Sequence, residues 1–455
     1  MDRLGKGRGW DRSRELGGLN MGPPFAQSNT KMYHGRVEAI ASILSYLEAQ
    51  KEKYVILSDC NIASDVDYAD LMQKHISAGA DVTMVYERAA IPEALQPDKL
   101  LIIPAADPPH KQLAEGRPDP QERFELTRIA FRGFPEAEVS DMELVRGGES
   151  YTSDTVAELA AEYPGAEIFF VIGTDMLTSF ERWHNFRDIL ALSALAVLPR
   201  DEGDMPEIER CSRRFEELYG ARIRVIDVAP LPMSSSEMRE LLVSRRGADV
   251  LDGEVYARII RVRDYGAKPQ LDWLRERAYA YLKPSRVPHV AGCEQEASKL
   301  ALRWGEDPGD AAEAGILHDI TKKLSMDEQL ILAEKYGIVF DKFERENIKL
   351  THAITGAALS KELFGVPERI YSAIRWHTTG RADMTLLEKI IYIADYIEPT
   401  RDFEGVERLR QLAYEDIDSA MALGLRMSLE ELRQSGIEPH GATVSALAWY
   451  GKDKG

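Results

Sequence analysis

Near residue 268 the hydrophobic pattern of this chain changes period, and that change limits the fold more than any single residue does. Upstream, short apolar runs recur: Tyr54-Val-Ile-Leu57, Val82-Thr-Met-Val-Tyr86, Leu100-Leu-Ile-Ile103, Ile168-Phe-Phe-Val-Ile172, Ala194-Leu-Ala-Val-Leu198 and Ile223-Arg-Val-Ile226. Such continuous runs, separated by amphipathic stretches, predict parallel strands covered on both faces by helices. Downstream no run of that kind occurs, and a 3.6-residue period takes over in segments such as Ala311 to Leu317 and Leu386 to Tyr396. The expected architecture is therefore multidomain, α/β followed by an all-α bundle. Gly266 and Pro269 punctuate the junction, and a second boundary falls near Pro92 to Pro97.

A length of 455 residues with 44% hydrophobic content is enough for about three domains. The net charge of −19 argues against a nucleic-acid surface and favours small anionic ligands bound in local basic pockets. Cys60, Cys211 and Cys293 have no CxxC spacing, so neither a disulfide framework nor a zinc ribbon is expected, and a reducing cytosol is the default. Residues 1–17 are rich in Arg, Lys and Gly, but no apolar stretch follows and no run reaches membrane-spanning length. The expectation is a cytoplasmic protein without membrane or nucleic-acid partners; a homodimer is left open.

The helical part carries the strongest chemical signal. His318 and Asp319 end the pattern Asp310-Ala-Ala-Glu-Ala-Gly-Ile-Leu-His-Asp-Ile-Thr-Lys322. An adjacent imidazole and carboxylate can hold one divalent metal and present an edge to a second. Ile370, Ile374 and His377 share one helical face, as do Leu387, Ile391, Ala394 and Asp395. A carboxylate aimed into a core needs a partner, since an unpaired buried charge costs several kcal/mol or more. One histidine on an apolar face is usually a hydrogen-bonded core residue. Here His289, His318, Asp319, His352, His377 and Asp395 recur together, and the set predicts a metal-dependent phosphohydrolase.

The order His, His-Asp, His, His, Asp resembles the HD-domain superfamily. Arg286-Val-Pro-His289, Ala314 to Lys322, Ile374-Arg-Trp-His-Thr-Thr-Gly380 and Glu388 to Arg401 resemble one family within it, the bacterial symmetrical bis(5'-nucleosyl)-tetraphosphatase. That resemblance implies cleavage of diadenosine tetraphosphate to two ADP by residues 266–455. Nitrogen and carboxylate ligands without thiolate suit iron, manganese or zinc, and the resemblance tips the choice toward two irons. Asp319 is the expected bridging ligand. Lys322 and Arg401 are the expected grips on the polyphosphate, with solvated surface charge as the plainer alternative.

A second set of motifs lies upstream: Ile103-Pro-Ala-Ala-Asp-Pro-Pro-His-Lys111, Tyr151-Thr-Ser-Asp-Thr155, Phe170-Val-Ile-Gly-Thr-Asp-Met-Leu177 with Arg182-Trp183, and Pro232-Met-Ser-Ser-Ser-Glu-Met-Arg239. They resemble nicotinate-nucleotide adenylyltransferase, which implies a Rossmann-like domain over residues 93–265. Its substrates would be ATP, with Mg, and nicotinate mononucleotide. Gly173 and Asp175 close a strand at the sheet edge where such folds bind ligands. Ser234, Ser235 and Arg239 open a helix and offer an anion site, or an ordinary N-cap. Trp183 could stack on a ring, or fill a core, and Tyr151, Thr152 and Lys111 complete the expected site. The family's first strand and His-x-Gly-His motif are absent from this sequence, so the α/β domain is incomplete and adenylyltransfer should be weak.

Residues 1–92 resemble an internal part of the glucose-1-phosphate adenylyltransferase regulatory subunit, with Asp59 ending a strand. That resemblance implies a fusion across a deletion, or a join of neighbouring reading frames. The alternative is a working lid or interaction domain.

Overall fold

In the computed structural model, which describes residues 98–107, 116–135, 137–201, 203–226 and 234–451, the upstream segment holds five strands: β1 (Leu100–Ile102), β2 (Ala137–Val139), β3 (Phe169–Gly173), β4 (Ala194–Leu198) and β5 (Ile223–Val225). The runs at Tyr54 and Val82, Asp59, Cys60, Lys111 and all of the 1–92 resemblance lie outside the described residues. By contacts the chain divides after Glu87, and every described element belongs to the unit from Arg88 onward.

Four of these strands coincide with apolar runs. β2, Ala-Glu-Val, is too short and too polar to register as one, and it is defined by its parallel pairing with β1, Leu100 opposite Ala137. β3, β4 and β5 form a second parallel sheet in that order, with Phe169 opposite Ala194 and Leu195 opposite Ile223. Parallel neighbours need crossovers. Helices α1 (Pro120–Ala130), α2 (Thr152–Glu162), α3 (Phe186–Leu192) and α4 (Met205–Tyr219) fall between successive strands. Ala194 to Val197 are all buried, as a central strand covered on both faces requires. Among the described residues the strands form two sheets, of two and three strands, with no pairing between them. One core, built from Val156, Ile172, Leu177, Phe180, Ile189, Leu195 and Phe215, belongs to the three-stranded sheet.

Helices α5 (Ser235–Val243) and α6 (Gly253–Val262) come next in sequence, yet their apolar faces look away from that core. Leu242, Val255, Tyr256, Ile259 and Ile260 join a larger cluster that runs through the helical part to Ala446. That part is built on α7 (Val287–Trp304), α8 (Pro308–Leu317), α9 (Ile348–Phe364), α10 (Glu368–Trp376) and α11 (Leu386–Ile397). Asp307 starts α8 by accepting from the amides of Gly309 and Asp310, with Pro308 in the first turn, where its missing N–H costs nothing. Thr385 and Glu388 form a capping box that starts α11, which buries Leu387, Ile390, Ile391, Ile393 and Ala394.

The contact between α5–α6 and the bundle is polar as well as apolar. Arg245 and Arg263, both with left-handed backbone (φ 60°), converge on the fully buried Glu313 of α8: Arg245 Nη1 donates at 2.8 Å and Arg263 Nη2 also donates. Arg245 reaches Asp310 as well, at 2.5 Å. Gly365 (φ +56°) ends α9 where a Cβ would lie 2.3 Å from the Arg261 carbonyl, so only glycine fits. No helix among the described residues is long and apolar enough to cross a membrane.

Candidate metal centre

Six side chains from five helices and their ends converge. His289 stands in the first turn of α7, His318 and Asp319 come just after the last turn of α8, His352 lies in α9, His377 ends α10 and Asp395 lies in the last turn of α11. His289, His318, Asp319, His352 and His377 are buried. The ligand set expected from the sequence therefore comes together.

The hydrogen bonds fix which ring nitrogen faces inward. His318 Nδ1 donates to the Gly315 carbonyl and His377 Nδ1 to the Ile374 carbonyl, each at 2.7 Å, and His289 Nδ1 donates to Glu398 Oε1 at 2.9 Å. With the proton on Nδ1, each Nε2 presents a lone pair. Nε2 of His289 lies 3.3 Å from that of His318, and Nε2 of His352 lies 3.2 Å from that of His377. Carboxylate oxygens face the same atoms: Asp395 Oδ1 is 3.1 Å from His289, and Asp319 Oδ1 is 3.1 Å from His352 and 3.6 Å from His377. Among the described residues Asp319 Oδ1 is buried without a hydrogen-bond partner. Lone pairs held this close repel unless cations lie among them, so the donor set fits divalent metal ions. Three groups of His and acidic side chains among the described residues have all their donor atoms within 4.8 Å of one another, and two of them lie here: His289, His318 and Asp395, and His318, Asp319 and His377. Among the described residues no thiolate takes part; Cys293, one turn after His289, is buried with its thiol pushed up by burial.

Protonation supports the same reading. Burial lowers His318 to about 3, and burial followed by the neighbouring Lys322 charge lowers His352 to about 4, so both rings are neutral ligands at neutral pH. Burial alone would raise Asp319 and Asp395. Against it, His318, His352, His377 and Lys322 hold Asp319 well below the carboxylate range, and His289, His318 and Arg401 do the same for Asp395. Two anions, Asp319 buried and Asp395 partly so, thus stand beside the neutral rings of His318 and His352, with three cations at the rim. Arg401 Nη2 reaches Asp395 Oδ1 at 2.6 Å, and Lys322 Nζ lies 3.0 Å from His352 Nε2. Arg286, unassigned from sequence, takes Asp319 Oδ2 with Nε at 2.7 Å and Nη2 at 2.5 Å. Its signal was spacing: three residues before His289, it lies one turn from the first ligand.

The residues expected in the α/β part are placed less tightly. Gly173 ends β3 at its carboxyl edge, where a Cβ would come within 3.0 Å of Arg200 and Asp175, and Asp175 pairs with Arg200 at 3.1 Å. Tyr151 precedes Thr152 at the start of α2, its ring 4.3 Å from His184 and its hydroxyl on Glu149. Trp183 packs on Phe180 and Phe170, ring centroids 5.1 and 6.0 Å away. Ser234 forms a capping box with Glu237, Ser235 is exposed, and Arg239 bonds Ser236, so Ser234 and Arg239 make their side-chain hydrogen bonds within their own helix.

Comparisons with known proteins divide the chain in the same way. A family model described as HD domain matches residues 286–400, and one described as Cytidylyltransferase-like matches residues 89–241. The symmetrical bis(5'-nucleosyl)-tetraphosphatase of Bacillus subtilis is 41% identical over 163 residues, 34% of this chain and 86% of that protein. A probable nicotinate-nucleotide adenylyltransferase of Thermotoga petrophila is 38% identical over 148 residues, 32% of this chain and 72% of that one. A Mycoplasma pneumoniae protein named probable nicotinate-nucleotide adenylyltransferase/Ap4A hydrolase is 26% identical over 341 residues, 73% of this chain and 91% of that one. The family-model matches begin at residue 89 and so leave out nearly all of the segment 1–92 that resembles glucose-1-phosphate adenylyltransferase.

Proposed function

The chain belongs to the symmetrical bis(5'-nucleosyl)-tetraphosphatases over its helical part and to the nicotinate-nucleotide adenylyltransferases over its α/β part, and on that premise we propose that its principal activity is metal-dependent hydrolysis of diadenosine tetraphosphate to two ADP. The observation that carries this reading is the buried convergence of four imidazole Nε2 atoms and two carboxylates, with Arg286, Lys322 and Arg401 at the rim.

His289, His318, Asp319, His352, His377 and Asp395 are the residues that would hold the divalent cations. Bound there, iron, with manganese or zinc as substitutes, supplies Lewis acidity that acidifies a water and offsets charge on phosphoryl oxygens. The chain's own residues do the rest. Arg286 and Arg401 offer planar forks and Lys322 a point charge, the chemistry that grips a polyphosphate. His318 and His352, as neutral rings, would leave the cations' charge for the substrate.

For the remainder of the chain we propose that residues 93–265 are the adenylyltransferase-like domain, residues 266–455 the hydrolase, and residues 1–92 a separate piece. Adenylyltransfer, which would use Mg, ATP and nicotinate mononucleotide, is weak because no His-x-Gly-His occurs in the sequence. The test uses the full-length protein with iron or manganese and diadenosine tetraphosphate. ADP as the sole nucleotide product is expected; AMP with ATP, or no turnover, rejects the reading. Pyrophosphate released from ATP and nicotinate mononucleotide at a rate comparable to the hydrolysis would instead make the adenylyltransferase the principal enzyme.

A further inference from the structure

The four imidazoles are not held alike. His318 and His377 tie Nδ1 to neutral main-chain carbonyls. His352 has a buried Nδ1 with no hydrogen-bond partner among the described residues. Only His289 donates to an anion, Glu398, which is fully buried at the end of α11, three residues beyond the ligand Asp395.

Glu398 is itself fixed. Its Oε2 accepts from the Thr400 amide at 2.7 Å and its Oε1 from the Thr400 hydroxyl at 2.5 Å, so the carboxylate cannot swing without breaking both. The space it occupies exists because residue 292, one turn past His289 on α7, is glycine: a Cβ there would lie 2.6 Å from Glu398 Oε2. Gly292 has neither a positive φ nor a turn to explain it. What it provides is room for the carboxylate.

We infer that Glu398 is a positioning residue that locks the His289 tautomer and strengthens that ring as a metal donor, and that Gly292 admits it. The metal held by His289, His318 and Asp395 is therefore bound more tightly than the one facing His352. This rests on the metal-hydrolase reading above. A carboxylate on the far nitrogen of a ligand histidine fixes ring orientation and raises its basicity, and losing such a partner typically costs about 10–100-fold in metal affinity.

The experiment is Co²⁺ binding to the full-length protein, by competition with a chelator and by proton NMR of the loaded form. Glu398→Ala and Gly292→Ala should each weaken the tighter site by about 10–100-fold. The double variant should lose little more than either alone, because both remove the same hydrogen bond. Glu398→Gln, which keeps volume and an amide oxygen able to accept from Nδ1, should fall between and guard against misfolding of the alanine variants. The paramagnetically shifted exchangeable resonance of His289 Nδ1–H should persist in Glu398→Gln and vanish in Glu398→Ala. Wild-type affinity in both Glu398 variants, or additive losses in the double variant, would overturn the inference while leaving the hydrolase reading intact. Failure of the unaltered protein to bind Co²⁺ would overturn both.

Discussion

Replacing Glu313 by alanine should destabilise the protein by about 3 kcal/mol, although the residue touches no ligand of the metal centre. Glu313 is fully buried on α8 and is shared by two arginines whose side chains are 13% and 17% exposed. Breaking a buried ion pair by removing one partner typically costs about 3–5 kcal/mol, because the other charge is left uncompensated. The low end applies here. After the substitution Arg245 keeps Asp310 at 2.5 Å, and Arg263 keeps the carbonyls of Phe364 and Gly365 at 2.8 and 2.9 Å. Glu313→Gln keeps one acceptor oxygen but sets an NH2 donor against the other arginine, and should lose somewhat less than the alanine variant. Urea unfolding of the full-length protein reads the difference as a shift in midpoint at constant slope. Since α8 leads directly to His318 and Asp319, hydrolysis should fall in the same order as stability. A loss under about 1 kcal/mol, the worth of an exposed surface pair, would refute the account of Glu313 as the tie between α5–α6 and the bundle.

Other perturbations test the centre itself. His318→Ala or Asp319→Ala should abolish turnover while circular dichroism shows nearly unchanged helical content; retention of most of the rate would make the pair structural. Exhaustive chelation should inactivate the enzyme, with iron or manganese restoring diadenosine tetraphosphate hydrolysis, and unchanged turnover after chelation would reject metal dependence. Arg286→Ala should lower kcat/KM on the order of 10²-fold, the usual effect of removing one preorganised electrostatic group, as read by initial rates of ADP release. Asp264 offers a pH test: burial, and next Glu122, push its carboxyl up to about 6. The folded state then keeps a proton that the unfolded chain has released, and stability drains away as pH rises through that window. Asp264→Asn should therefore melt higher than the native protein at neutral pH, and the gap should close once both states are protonated in acid.

The convergent His and Asp residues were legible because they violate their surroundings. His377 and Asp395 interrupt apolar helical stripes, and periodicity shows an interruption without any knowledge of tertiary structure. Arg286 and Glu398 were not assigned, since a charged residue beside a helix end looks like solvated surface until a partner from another helix is seen. β2 was missed for the reason that three residues with glutamate at the centre carry no period. The α6 residues Val255, Tyr256, Ile259 and Ile260 were not read as a buried face, and they lie within the span 93–265 expected to be α/β. Their packing places them in the core of the bundle. In the α/β part, Trp183 and Ser234 had two readings each from sequence, and their contacts are those of an aromatic packed on Phe180 and Phe170 and a helix cap.

The sharing of one core between α5–α6 and the bundle has a practical corollary for anyone who handles the protein. A protease nicking the link between Val262 and Leu271 would not liberate a free hydrolase, because Leu242, Tyr256 and Ile260 would keep the halves docked. A recombinant fragment starting at residue 266 would lose those side chains, Arg245 and Arg263, leaving a greasy scar and an orphan Glu313. A fragment beginning near Ser234 keeps the seam closed and is the shorter piece to express.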